Sequence, residues 1–111
     1  MDIHVKKEAK GLIVSIMGRL DAVSAGELDK EMDGQIKKGE PNFILDLSRL
    51  DYISSAGLRS ILSASKRLKE NQGMMILCGL QGSVKEVFDI SGFSSIFTIY
   101  ESLETALKSV K

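Results

Sequence analysis

The sequence predicts an α/β fold: a single-layer, mixed and mostly parallel β-sheet with an N-terminal antiparallel hairpin and about four helices. Two observations carry this. Short apolar runs alternate with segments of helical periodicity along the 111 residues, which is the pattern of a largely parallel sheet. The first two runs are separated only by a turn, so they pair as a hairpin. The apolar share of 43% and charged share of 27% are those of an ordinary globular chain. The length suits one domain, so residues 1–111 are read as a single unit.

Taking the elements in order, Ile3 and Val5 alternate with polar neighbours and form a short first strand. Lys10-Gly11 is a turn, and Leu12 to Met17 is a nearly unbroken apolar run, a central strand. Ser24 and Glu27 have the spacing of a capping box, which predicts that the Ser24 hydroxyl caps the next helix. Leu28, Met32 and Ile36 line one face of that helix, and Gly39 and Pro41 stop it. Phe43 to Leu47 is a buried strand interrupted by Asp46. Ser54 or Ser55 caps the following helix, whose inner face carries Leu58, Ile61, Leu62, Ser65 and Leu68 and whose other face carries Arg59, Lys66, Arg67 and Lys69. Gly73 ends it, and Met74 to Cys78 is the next apolar strand. Ser83 and Glu86 form a second capping box, Val84, Val87 and Phe88 bury the short helix behind it, and Gly92 closes it. Ile96 to Tyr100 is a last strand, and Leu103, Ala106, Leu107 and Val110 make an amphipathic final helix. The expected order is β-β-α-β-α-β-α-β-α.

Composition also narrows function. Fifteen basic and fifteen acidic residues give a formal net charge of zero, which lacks the basic excess that supplies most nucleic-acid affinity. The basic pairs Lys6-Lys7 and Lys37-Lys38 read as solvated surface. A single cysteine, Cys78, and a single histidine, His4, make neither a disulfide nor a zinc site. No apolar stretch approaches a membrane span, and the start of the chain lacks a signal-peptide pattern. The expectation is a cytoplasmic protein without cofactor or metal, and without nucleic-acid or membrane partners.

In open α/β sheets function gathers where strands run into helices. The stretch from Asp46 to Leu58 is such a place, and its adjacent Ser54 and Ser55 have three readings. One serine can simply cap the helix, worth about 1 kcal/mol. A nucleophilic serine would need a base and an oxyanion site, but His4 is near the chain start and no nucleophile-elbow, phosphate-loop or dinucleotide motif is present. A phosphorylated serine is chemically well placed, because free N–H groups and the helix dipole at a helix N-terminus tolerate an anion. Asp21 and Asp46 end or interrupt buried strands. They either form an acidic rim around the serines or satisfy local backbone N–H groups.

Gly18-Arg19-Leu20-Asp21, Leu45-Asp46-Leu47, Ser54-Ser55-Ala56-Gly57-Leu58-Arg59 and the segment Val84 to Phe93, in this order, resemble the STAS domain family and specifically the bacterial anti-sigma factor antagonists. The resemblance spans essentially the whole chain. The family's helix-start motif usually reads Asp-Ser-Ser/Thr/Ala-Gly-Leu, with the serine after the Asp phosphorylated. That makes Ser55 the implied target; Ser54 stands where the Asp is usual and is the alternative target. The resemblance implies a non-enzymatic regulator that binds an anti-sigma factor, itself a serine kinase of histidine-kinase-like ATPase fold. It also implies a metal-dependent serine phosphatase that restores the active form. The expected partner-binding residues are Asp21, Asp46, Ser54, Ser55, Ala56, Gly57, Leu58, and Arg59, Ser60 and Ser63 on the exposed side of the helix. The free protein is expected to be a monomer. The alternative reading is a constitutive STAS adaptor subunit of a signalling scaffold or lipid-transport complex.

Overall fold

The chain opens with the expected hairpin. β1 (Asp2–Glu8) pairs antiparallel with β2 (Gly11–Leu20) in a computed structural model that describes residues 1–110. The first half of β2 pairs parallel with β3 (Asn42–Asp46), which pairs with β5 (Met74–Cys78), and β5 pairs with β6 (Thr98–Tyr100). The second half of β2 pairs with β4 (Leu50–Ile53), a strand the sequence reading places in a loop. β4 is four residues long with only its ends buried, and the register shifts between Gly18 and Arg19 of β2. Such an irregular strand carries no period-2 signal.

Three helices cover one face of this sheet: α1 (Ala25–Lys37), α2 (Ser55–Glu70) and α3 (Gly82–Ser91). Alternation along the strands sends Val14, Ile16, Phe43, Leu45 and Leu77 to that face, where they meet Leu28 and Met32 of α1, Ile61 and Leu68 of α2, and Val84 and Phe88 of α3. Ile13, Ile44, Ile76 and Cys78 point the other way, onto Ala106 of α4 (Leu103–Ser109) and Val110 just beyond it. The apolar residues predicted for α1, α2 and α4 are therefore the ones that pack.

Several local expectations need correction. Ser24 does not cap α1: its backbone is helical rather than extended, so its hydroxyl turns back into the preceding loop. Ser83 does not cap α3 either. The helix begins one residue before it, after Gln81, and the Ser83 hydroxyl donates to the Asp51 carbonyl of β4 at 3.3 Å. Gln81 donates to the Ser48 carbonyl, so both residues clamp α3 to the β3–β4 connection. At the end of α2 the left-handed residue is Gln72, with φ 59°, and not Gly73. Gly73 is small for another reason: a Cβ there would lie 2.6 Å from the Pro41 carbonyl. The last strand is confined to Thr98–Tyr100, because Phe93–Ser95 forms a 3₁₀ turn that packs Phe93 and Phe97 edge-on against Phe88.

Candidate functional site

The site grows from the way β2 and β4 end together. Leu20 pairs with Ile53, and the Ser54 N–H donates to the Leu20 carbonyl at 3.0 Å. The chain then turns into α2. Ser54 is in extended conformation, and its hydroxyl oxygen accepts from the Gly57 N–H at 3.2 Å. This is the N-cap arrangement, which satisfies one of the free donors of the first turn. Ser55 is the first residue of the helix. It is exposed, and its hydroxyl has no hydrogen-bond partner among the described residues. The two adjacent serines are therefore different: one hydroxyl holds the helix and the other is presented to solvent.

Gly57 explains how α2 can start so close to the sheet. A Cβ at this position would lie 2.8 Å from the Leu20 carbonyl oxygen and 2.9 Å from side-chain carbons of both Leu20 and Ile53. Leu20 and Ile53 are themselves buried. Only glycine lets the first turn rest directly on the ends of β2 and β4.

The first turn of α2 contains no acidic residue, so the positive end of a 16-residue helix is uncompensated within the helix itself. Beside it runs the loop from Asp21 to Ser24. The Asp21 carboxylate accepts from the Val23 N–H at 3.0 Å and from the Ser24 N–H and hydroxyl, both at 3.2 Å. Ser24 in turn donates to the Arg19 carbonyl and accepts from the Asp21 N–H. The Ser24 backbone N–H is the main reason the Asp21 carboxyl lies below the usual carboxylate range. The Ser24 hydroxyl, the Val23 N–H and the Arg19 charge act in the same direction against partial desolvation. Arg19 also stacks over the Tyr52 ring, 4.1 Å from its centroid. The loop is thus tied at both ends, and it holds Val23 92% exposed. Local bonding by Asp21 is one of the two readings of the sequence; what that reading misses is the part of Ser24, whose hydroxyl it assigns to the helix cap and which instead closes the self-bonding turn Asp21-x-x-Ser24.

Asp21 follows directly on the strand end that seats Ser54, but Asp46 is on the other side of the sheet. Alternation from Ile44 turns its side chain toward the α4 face, where it accepts from the Ser48 N–H at 3.1 Å and adds to the burial that pushes the Cys78 thiol up to about 12. The acidic rim pairing Asp21 with Asp46 does not form, and for both carboxylates the local hydrogen-bonding reading holds. On the same α4 face His4 opposes Ser15, and Ser15 opposes Asp46. With Met17, Ser48 and Arg49 they line a polar depression of about 280 Å³. His4 therefore lies across the sheet from Ser55.

The helix face also needs one correction. Arg59 and Ser63 are exposed, as expected, but Ser60 is 5% exposed and points inward between α2 and α1. Its hydroxyl donates to the Asp29 carboxylate and toward the Ala25 carbonyl. Helical phase puts residue 60 two positions from Leu58 and one from Ile61, on the flank that meets α1. Gly57 and Leu58 are buried too, and Ala56 is half-buried. The solvent-facing members of the predicted set are Ser55, Arg59 and Ser63.

The model of the STAS domain matches residues 1–106. The chain belongs to the STAS domain family. Within it the chain falls among the anti-sigma factor antagonists. It is 47% identical over 100 residues to BtrV of Bordetella bronchiseptica, described as an anti-sigma factor antagonist, over 90% of this chain and 86% of that protein. The crystal structure of an anti-sigma factor antagonist from Mycobacterium paratuberculosis has a TM-score of 0.89 at 22% identity, over 98% of this chain and 92% of that one. The Bacillus cell fate determinant SpoIIAA in its phosphorylated form has a TM-score of 0.76 at 20% identity, over 99% of this chain and all of that one. Likeness at those identities speaks to the fold. Family membership makes this chain a non-enzymatic regulator. No helix among the described residues is long and apolar enough to cross a membrane.

Proposed function

We propose that this chain is a cytoplasmic domain, monomeric when free, that captures an anti-sigma factor and is switched off by phosphorylation of Ser55. The observation that carries the reading is the division of labour between the two serines: Ser54 is spent on the helix cap and Ser55 is exposed and unbonded. A kinase can reach Ser55 without opening the fold. The partner in this reading is a serine kinase of histidine-kinase-like ATPase fold, and a metal-dependent phosphatase removes the phosphate.

The physics of the switch is local. A phosphate on Ser55 adds about −1.5 to −2 charges at the end of a helix that stabilises anions, so the domain stays folded. The binding surface changes instead. A partner carboxylate about 5 Å away would be repelled by roughly 3 kcal/mol per unit charge pair at an effective dielectric near 20, on the order of a hundredfold in affinity.

The test compares Ser55→Glu and Ser55→Ala by calorimetry with an anti-sigma factor of serine-kinase type that binds the wild-type protein. Ser55→Ala should bind as wild type does and Ser55→Glu at least tenfold more weakly. Equal affinities for Ser55→Glu and wild type would sink the switch and favour a constitutive adaptor.

A further inference from the structure

We propose that Arg59 is the built-in counter-ion of the Ser55 phosphate, so that phosphorylation both adds an anion and withdraws a cation from the exposed face of α2. This inference rests on the reading of Ser55 as the modified residue. Ser55 and Arg59 are four residues apart on one uninterrupted helix, and both are exposed. Residues at this spacing are neighbours on the helix surface, with Cβ atoms about 5–6 Å apart. The order is also the favourable one, with the anion N-terminal to the cation.

Arg59 is available for this role. It has neither an ion pair nor a hydrogen bond among the described residues, whereas Arg67 on the same helix is held by Asp33 and Arg19 is stacked on Tyr52. Nothing on α2 competes for it, because the helix has no acidic residue before its final Glu70. The acids of α1 that approach α2 are already used: Asp29 accepts from Ser60 and Asp33 from Arg67. Arginine suits the task better than lysine, since its planar fork meets two phosphate oxygens at once.

Captured this way, the phosphate is held against the helix rather than projecting from it. In the unphosphorylated protein the solvent side of α2 shows Arg59, Lys66 and Lys69 as free cations. In the phosphorylated protein the first of these is neutralised, and its side chain is turned toward the N-terminus of the helix. A partner that reads this face thus meets two differences from one modification.

The experiment installs phosphoserine at position 55 during translation, which needs no kinase, and follows the phosphate by phosphorus NMR across pH. A dianion paired with Arg59 loses its last proton more readily. The titration midpoint of the otherwise wild-type phosphoprotein should therefore lie about 0.3 unit below that of its Arg59→Gln variant, as an exposed i,i+4 ion pair implies. Arg59→Lys should fall between them, and Lys66→Gln, which removes the same charge eleven residues away, should match wild type. Identical midpoints for wild type and Arg59→Gln would overturn the proposal. So would equal shifts from Arg59→Gln and Lys66→Gln, which would mean a general field and not a pair. Arg59 is exposed, and circular dichroism checks that each variant is folded. A kinase that ignores Ser55 would refute the switch while leaving this titration readable, so the two failures are distinct.

Discussion

Gly57→Ala probes the seating of α2, on which the presentation of Ser55 depends. The added methyl would sit 2.8 Å from the Leu20 carbonyl oxygen and 2.9 Å from buried carbons of Leu20 and Ile53. Ordinary contact begins near 3.5 Å, so the first turn must lift by somewhat more than about 0.5 Å. It cannot do so freely, because the Ser54 N–H to Leu20 carbonyl bond and the Ser54 cap bind the same segment. Overpacking of this kind costs about 1–3 kcal/mol, while alanine in place of glycine returns up to about 1 kcal/mol of helix propensity. The expected net loss is about 1–2 kcal/mol, roughly 4–10 °C in Tm for a domain of this size. Urea denaturation followed by circular dichroism measures it, and the rate of Ser55 phosphorylation in the same variant should fall because α2 starts in the wrong place. A Gly57→Ala protein as stable as wild type, or more so, would refute the close-approach argument.

Two further predictions concern stability. Ser54→Ala removes the cap and should lower stability by about 1 kcal/mol, whereas Ser54→Asp keeps an acceptor there and should not; urea midpoints decide. Burial first, and Asp46 second, raise the Cys78 pKa from 9.0 in the unfolded chain to about 12 in the fold. The unfolded chain therefore loses its thiol proton first as pH rises, so the stability is fully present below about pH 9 and drains away toward pH 12. The alkaline limb of a stability–pH curve should be shallower in Cys78→Val than in wild type, and parallel curves would contradict this.

Much of this was legible in the sequence because burial imposes periodicity. The inner face of α2 follows from Leu58, Ile61 and Leu68, and the strand cores follow from runs such as Phe43 to Leu45, buried on both faces of a largely parallel sheet. What escaped depends on backbone geometry or on helical phase. Ser24 and Ser83 have capping-box spacing, but a cap needs extended backbone at the serine, and each hydroxyl instead ties its segment to a neighbouring one. β4 escaped because it pairs irregularly with a strand that already has a partner. Ser60 is polar and looked solvent-facing, yet its burial is balanced by Asp29 across the α1–α2 contact. The distinction between Ser54 and Ser55 was also invisible: either could be a cap by spacing, and only the seat of Ser54 on Leu20 settles which hydroxyl is used.

The most direct test of the account is to incubate the protein with the partner serine kinase and ATP and to map phosphate by mass spectrometry. The account predicts phosphate on Ser55, absent from Ser55→Ala and retained in Ser54→Ala. Phosphate on Ser54, or none on either serine beside an active kinase control, would contradict it.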